Sequence, residues 1–164
     1  MKEVKIKMIN EKTLIQLPDP YHEINFLTRK KEWRMKSHTH SYFQSIMVTE
    51  GVLTIIVDNN KYKLKRGNFC ITAPDIEHEL FTLNGYSQFG INFCNELKAN
   101  DRYPFITLLN NNITDILTVN KTDFLSQIPV IRKEIQELTL LAKLKIINKV
   151  EKLFLSVLDI KSNN

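Results

Sequence analysis

The stretch Ser37-His38-Thr39-His40-Ser41-Tyr42-Phe43-Gln44 decides the fold, and it runs on through an apolar segment to Glu50-Gly51. Side chains alternate between the two faces of a strand, so His38, His40 and Gln44 point the same way if this stretch is extended. Gly51 then ends the strand where the chain must turn. We therefore expect two imidazoles and one amide to converge on the inner face of a β-structure.

A second stretch repeats this organisation further along the chain. Gly67 opens the strand-like run from Asn68 to Ala73, and Pro74-Asp75-Ile76-Glu77-His78 follows it. Three of the four histidines therefore lie beside strand-like runs. We expect His78 to reach the same space as the first two.

The region around these stretches has the composition of a β-domain. From Ile24 to Phe93 the chain consists of short runs rich in Val, Ile, Phe, Tyr and Thr, separated by polar turn residues, which is typical of a sandwich or barrel. Val52 to Asp58 and Lys61 to Lys65 form a predicted hairpin. We place its turn at Asn59-Asn60, because Asn tolerates the positive φ of a type I′ turn.

The C-terminal part has helical composition. A helical stretch is predicted from Thr122-Asp123, with Pro129 bending it or starting the next helix, and a longer helix from about Gln136 to Ile160, which contains no Gly or Pro. Two apolar stripes follow this helix: one is Ile146, Val150, Leu153, Val157 and Ile160, and the other is Leu140, Leu144, Ile147, Phe154 and Leu158. One stripe suffices to cover a barrel. We expect the other to join two protomers, and the predicted dimer interface is Ile146, Val150, Leu153 and Val157. The alternative is a helix buried within a monomer.

The length of 164 residues suits one domain. We divide it into an N-terminal arm (1–20), a barrel (21–98) and a helical dimerisation segment ending in a linker-like tail (99–164). No apolar run approaches the roughly 18 residues of a membrane span, and the N-terminus has no secretion signal, so we expect a cytoplasmic protein without membrane contact. Cys70 and Cys94 then read as small buried side chains.

The net charge of +5 raises the question of nucleic acid. The lysines and arginines are scattered, and nothing in the sequence has the pattern of a helix-turn-helix. We expect any contact with DNA to come from a domain outside this chain.

The two histidine stretches resemble the two motifs of the cupin family. The first motif is matched by His38, His40, Gln44 and Gly51, with Gln44 where the family usually has Glu. The second is matched by Gly67, Pro74 and His78, with Ile76 where a glycine usually follows the proline. The resemblance implies a mainly β fold, a cupin (double-stranded β-helix or jelly-roll) barrel, followed here by C-terminal α-helices.

The resemblance narrows to the N-terminal effector-binding domain of AraC-type transcription regulators, over about residues 24–160. In that family the barrel is followed by helices that pair protomers. The resemblance implies a dimeric domain whose effector controls DNA binding by a helix-turn-helix domain, which this sequence does not contain. We read the polar tail at 159–164 as the start of a linker.

Two functions fit one pocket. The favoured function is binding of a small organic effector, a sugar being one option, with no cofactor and no catalytic residue. The predicted ligand-binding residues are His38, His40, Gln44, His78, Trp33, Tyr42, Ile46 and Phe93. The alternative is a stand-alone cupin enzyme that holds Mn, Fe, Ni or Zn through His38, His40, Gln44 and His78. The AraC-type domains generally keep these residues without a metal, which favours the effector.

Overall fold

The computed structural model describes residues 12–16, 21–94, 104–137 and 139–162. The strands are β1 (Lys12–Gln16), β2 (Tyr21–Arg29), β3 (Arg34–His38), β4 (Phe43–Val57), β5 (Asn60–Lys65), β6 (Asn68–Thr72), β7 (His78–Phe81), β8 (Tyr86–Phe93) and β9 (Ile116–Asn120). The helices are α1 (Pro104–Asn112), α2 (Gln127–Glu137) and α3 (Leu140–Ser162), and a 3-10 turn (Thr122–Ser126) precedes α2.

The strands form two connected layers. One has the order β1-β2-β8-β4-β6-β9, and in the other β7 lies between β3 and β4 while β5 pairs with the far side of β4. All of these pairs are antiparallel. Buried side chains from both layers meet in one apolar cluster that includes Ile46, Leu53, Leu64, Leu80 and Tyr86. The space between the layers is therefore the lumen of a barrel, as the sequence predicted.

Strand β4 belongs to both layers, and Gly51 lies inside it. The first half of β4 pairs with β6 and β8, and the second half pairs with β5 and β7. Gly51 has φ +73°, and a Cβ there would collide with the backbone of Gly85 and Tyr86. The prediction that Gly51 ends the strand was wrong, because glycine lets the strand bend and continue.

The predicted hairpin exists, with its turn one residue earlier than expected. Val57 pairs with Asn60, so the turn residues are Asp58 and Asn59, with φ of 48° and 64°. A two-residue type I′ turn needs positive φ at both central positions, and Asp and Asn both tolerate it.

The helices pack on the outer face of the larger sheet. Phe89, Ile91 and Phe93 of β8 share a buried cluster with Phe154 and Val150 of α3. Their neighbours along β8 point the other way, into the lumen. The larger sheet thus has helices packed on its outer face, and its inner face lines the lumen.

Helix α3 has two opposite apolar faces. Ile146, Val150, Leu153 and Val157 are at most 2% exposed and belong to the cluster against the sheet. The prediction that these four residues form a dimer interface was therefore wrong: the stripe packs on its own barrel. The exposed leucines are Leu140, Leu141, Leu144 and Leu155. At 100° per residue, Leu141, Leu144 and Leu155 lie within about 60° of one another on the side opposite Val150.

The sheet extends past both predicted boundaries. β1 lies in the predicted arm and pairs with β2, and β9 lies in the predicted helical segment and pairs with β6. Helix α1 includes the asparagine run from Asn110 to Asn112. The 3-10 turn starts at Thr122, as expected, and Pro129 lies in the first turn of α2. The remainder of the arm, the last two residues of the tail and the side chain of Ile160 lie outside the described residues.

Cys70 and Cys94 are both buried, as predicted. None of the described helices is long and apolar enough to cross a membrane.

Candidate functional site

Three imidazoles meet at one end of the barrel. His38 ends β3 and His78 begins β7, and the two are direct partners across these strands. Their ring centroids are 4.4 Å apart. His40, in the segment between β3 and β4, has its ring 4.9 Å from that of His78 and 6.1 Å from that of His38. The structure thus brings the predicted histidines together, although residues 38–48 form two strands and a connection instead of one strand.

Backbone hydrogen bonds fix the tautomer of each neutral imidazole ring. The Nδ1 atoms of His38, His40 and His78 lie 2.9, 2.7 and 2.8 Å from the carbonyl oxygens of residues 36, 42 and 76. A carbonyl only accepts hydrogen bonds, so Nδ1 carries the proton and Nε2 of the neutral ring has a free lone pair. Nε2 of His40 and Nε2 of His78 are buried without a hydrogen-bond partner among the described residues.

Burial keeps two of these rings neutral. The pKa of His78 is lowered to about 4, chiefly by burial and to a smaller extent by the adjacent imidazoles of His38 and His40, against the hydrogen bond to the carbonyl of Ile76, which raises it. Burial is also the main cause that lowers the pKa of His40. Both rings therefore act as hydrogen-bond acceptors at neutral pH.

A row of polar side chains continues the site across the larger sheet. In the strand register, Glu23 of β2 is opposite Asn92 of β8, Asn92 is opposite Gln44 of β4, and Gln44 is opposite Thr72 of β6. Directly opposed residues of antiparallel strands share a face, so all four side chains point into the lumen. Gln44 lies close enough to His40 to influence its pKa. Gln44 Oε1 and Asn92 Oδ1 are buried without a hydrogen-bond partner among the described residues.

A chain of hydrogen bonds leads from this row along the barrel. Asn92 Nδ2 and Asn25 Nδ2 both donate to Glu23 Oε1, at 3.0 and 3.3 Å. Gln88 Nε2 donates to Asn25 Oδ1 at 2.9 Å, and the hydroxyl of Tyr86 donates to Gln88 Oε1 at 2.8 Å. These bonds connect the histidine end of the lumen with its opposite end.

Gly90 makes room for this chain. A Cβ at Gly90 would overlap with Oδ1 of Asn25 and lie 2.8 Å from Nε2 of Gln88. Residue 90 must therefore lack a side chain, so that the amides of Asn25 and Gln88 can meet over the strand. The sequence feature that marks this face is the alternation of Gln88, Gly90 and Asn92 with apolar residues.

The predicted pocket walls divide into three groups. Tyr42 stacks on His40 with centroids 4.2 Å apart, and Ile46 is buried in the lumen. Trp33 lies at the other end, 5.9 Å from the ring of Tyr86 and under the guanidinium of Arg29. Phe93 was wrongly predicted: its ring packs on Phe154, 4.4 Å away on the helix side, because it has the opposite parity to Asn92.

Sequence reasoning missed the carboxylate and amides of β2 and β8. Glu23, Asn25, Gln88 and Asn92 form a continuous hydrogen-bonded chain in the lumen. Each alternates with a large apolar residue that faces the helices, as in Ile24-Asn25-Phe26. When a strand is covered by helices on its apolar side, the polar residues of the other parity must face the lumen, and that signal was available in the sequence.

The histidine pattern implies a divalent metal ion, and the donor types fit, since imidazole nitrogens and an amide oxygen are suitable ligands. The arrangement does not fit. Within the described ranges, no group of three or more His, Cys, Asp or Glu side chains is placed so that it could hold a metal ion. We therefore assign no chemical step to a metal.

Fold and site together define the class of the protein. The chain matches the Cupin domain family (Cupin_2) over residues 26–84, about a third of its length. This segment contains His38, His40, Gln44 and His78. The barrel is thus a cupin fold followed by C-terminal helices. None of the curated proteins compared with the chain matches it.

Several solved structures are similar to part of the chain. A cupin superfamily protein from Desulfitobacterium hafniense is 11% identical with a TM-score of 0.47, over 51% of this chain and 76% of that one. A conserved protein from Streptococcus pyogenes is 13% identical with a TM-score of 0.47, over 53% and 77%. The Cnp3 cupin domain of Schizosaccharomyces pombe is 8% identical with a TM-score of 0.49, over 56% and 68%. None of these likenesses indicates what this chain binds.

Proposed function

We propose that the chain is the effector-binding and dimerisation domain of an AraC-type transcription regulator that acts in the cytoplasm. A small organic effector occupies the histidine end of the lumen. Its binding controls a helix-turn-helix domain outside this chain. The domain itself performs no catalysis.

One observation carries the ligand-binding part of this proposal. Four buried acceptor atoms lie on His40, His78, Gln44 and Asn92 at one end of the lumen without hydrogen-bond partners among the described residues. A buried polar atom without a partner costs about 1–3 kcal/mol, so four in one place are costly unless something binds there. An effector that donates hydrogen bonds to these atoms recovers that energy.

The exposed face of α3 supports the dimer. Leu141, Leu144 and Leu155 are 62%, 54% and 44% exposed, and they follow one side of the helix. An antiparallel pair of α3 helices with its two-fold axis at Asn148 brings Leu141 next to Leu155 of the partner subunit, and the reverse. The dimer thus uses the stripe that the barrel leaves uncovered.

A thermal-shift screen of small polar compounds tests the ligand site, with the variant Gln44→Leu as the discriminating reagent. Leucine has a similar size and removes an amide whose oxygen has no partner, so the free protein should keep its stability. We expect the affinity for any stabilising compound to fall about tenfold or more, because the compound loses a buried hydrogen bond to a strongly polar group. The control is Gln136→Leu, on the exposed side of α2.

A compound that stabilises wild type and Gln44→Leu equally binds elsewhere and contradicts the proposal. The regulatory part has a separate test: the reading frame should continue beyond Asn164 into helix-turn-helix sequence.

A metal-dependent cupin enzyme is the second candidate. The Nδ1 hydrogen bonds of the imidazoles are the observation in its favour, and the placement of the side chains, which forms no metal site among the described residues, is the observation against it. Metal-binding histidines usually donate their second ring N–H to a carbonyl or carboxylate, as all three rings do here. Metal analysis of the purified protein decides between the two. A stoichiometric Mn, Fe, Ni or Zn content that is lost in the double variant His38→Ala, His40→Ala would favour the enzyme.

A further inference from the structure

The histidine end of the lumen presents hydrogen-bond acceptors. The bonds described above fix the orientation of most of these groups. Each Nδ1 donates to a backbone carbonyl, so Nε2 is the acceptor atom of each neutral ring, and Nε2 of His40 and Nε2 of His78 are buried. Asn92 uses its Nδ2 to donate to Glu23, so its Oδ1 is the atom left unpaired. A group bound between these acceptors must therefore donate the hydrogen bonds.

Glu23 adds a negative charge to this surface. Asn25 and Asn92 both donate to the same carboxylate oxygen, Oε1. The carboxylate also lies near Tyr42, whose pKa is raised by burial and then by the charge of Glu23. Since Tyr42 stacks on His40, Glu23 is part of the same site.

No cation of the described chain neutralises this charge. Ion pairs join Lys31 with Glu32, Arg34 with Glu79 and Lys145 with Glu134, and none of these pairs involves Glu23. Arg29 is directly opposite Tyr86, at the other end of the lumen. Lys121, the one lysine or arginine buried in the described ranges, follows β9 next to Gly67, also away from the histidines.

We propose that the barrel selects a ligand with a positively charged group, and that Glu23 is the residue that sets this preference. The proposal rests on the proposed function, because it concerns the ligand of the same site. Neutral rings and amide oxygens can accept hydrogen bonds from an ammonium group, and Glu23 supplies the opposite charge. An anionic ligand would meet acceptors and a carboxylate, an arrangement that repels it. The positive charge belongs to a protonated amine, because these acceptors need a hydrogen-bond donor and their arrangement does not form a metal site.

Four probes test this preference. The ¹⁵N-labelled protein is titrated with 1,4-diaminobutane, 1,4-butanediol, succinate and Zn²⁺, while the side-chain amide signals of Asn92 and Gln44 are followed by NMR. The first three compounds share a four-carbon chain and differ mainly in charge. We expect saturable shifts with the diamine, and none with the diol or succinate. Shifts with Zn²⁺ alone would contradict the amine site and favour the second candidate function.

The variant Glu23→Gln then tests the role of the charge. Its remaining oxygen can still accept from Asn25 and Asn92, so the fold and the two hydrogen bonds are retained. We expect the affinity for the cationic probe to fall about tenfold or more, as for a lost hydrogen bond to a charged group. The control is Glu77→Gln, an exposed carboxylate that accepts from Ser37 next to His78. This change should leave the affinity within about twofold, because solvent screens the charge.

Three results would overturn the inference: binding of the diol or succinate at least as tight as that of the diamine, an unchanged affinity in Glu23→Gln, or no shift with the diamine. A neutral or anionic compound found in the thermal-shift screen, whose binding depends on Gln44, would end this inference and leave the proposed function standing. The proposed function fails when neither the screen nor the four probes give binding that depends on Gln44.

Discussion

The two faces of β8 are built from alternating residues and do different things. Phe89, Ile91 and Phe93 face the helices in a fully apolar cluster, where every contact is made within the chain. Gln88 and Asn92, on either side of Gly90, face the lumen, and Asn92 ends with an unpaired oxygen. The same eight-residue strand thus supports the fold with one face and presents an incomplete polar surface with the other.

This difference separates stability from binding along single strands. The apolar face gains free energy from burial and has nothing left to satisfy. The polar face contains hydrogen-bonding atoms that fold without partners, which weakens the free protein and favours a ligand. Substitutions on one face should therefore change the unfolding free energy, and those on the other should change the affinity.

Phe154→Ala should have the largest effect, on the apolar face. The ring lies 4.4 Å from Phe93 and 5.5 Å from Phe69, measured between centroids, and is fully buried. Removing it leaves a cavity, and we expect a loss of about 3–5 kcal/mol in unfolding free energy. Urea denaturation measures this loss, and ligand affinity should be unchanged in the folded protein. A loss below about 1 kcal/mol would show that α3 contributes little to the fold.

Acidification should have a smaller effect, on the lumen face. His78 titrates near 4 in the folded protein and near 6.5 when exposed, so the unfolded state binds more protons between these values. The unfolding free energy should be constant above about pH 6.5 and fall as the pH decreases toward 4. The variant His78→Gln lacks this titration, so its unfolding free energy should fall less on acidification. An equal fall in both proteins between pH 7 and pH 5, measured by denaturation, would contradict the lowered pKa of His78.

Leu144→Glu should have the smallest effect on folding, since its side chain lies on the uncovered side of α3. We expect a change within about 0.5 kcal/mol in unfolding free energy, together with dissociation of the dimer. Size-exclusion chromatography with light scattering measures the mass. The control Leu83→Glu, at a residue 67% exposed in the turn before β8, should leave the dimer intact. A monomeric wild type would show that the exposed leucines do not pair protomers.

The sequence could predict a barrel followed by helices, because the alternation of short β-runs and the change to helical composition are local patterns. It could also predict that His38, His40 and His78 approach one another, since strand parity and the two turn motifs place them. The sequence also showed that α3 carries more apolar residues than one stripe. It did not show which of them stay exposed: Phe154 and Leu158 of the second predicted stripe are buried with the first, whereas the exposed Leu141 and Leu155 belong to neither stripe.

The rest depended on contacts between distant parts of the chain. Glu23 and Asn92 are 69 residues apart and meet only through the register of β2 against β8. Phe93 was wrongly placed in the pocket for the same reason. Which face of β8 it lies on is known only when the helices that cover that face are known. β9 is a short run after a helix, and only its pairing with β6 shows that it belongs to the sheet.

The continuity of β4 has a consequence for the opening of the barrel. This strand has neighbours on both sides in each half, β6 and β8 at residues 44–47 and then β5 and β7 at residues 54–56. Neither layer can come apart without breaking the backbone hydrogen bonds of the strand that both share. The amides of β4 should therefore exchange with deuterium only through global unfolding, and both layers should behave as one cooperative unit. Gln44 lies in that unit, so the ligand site is held by the slowest-exchanging part of the protein.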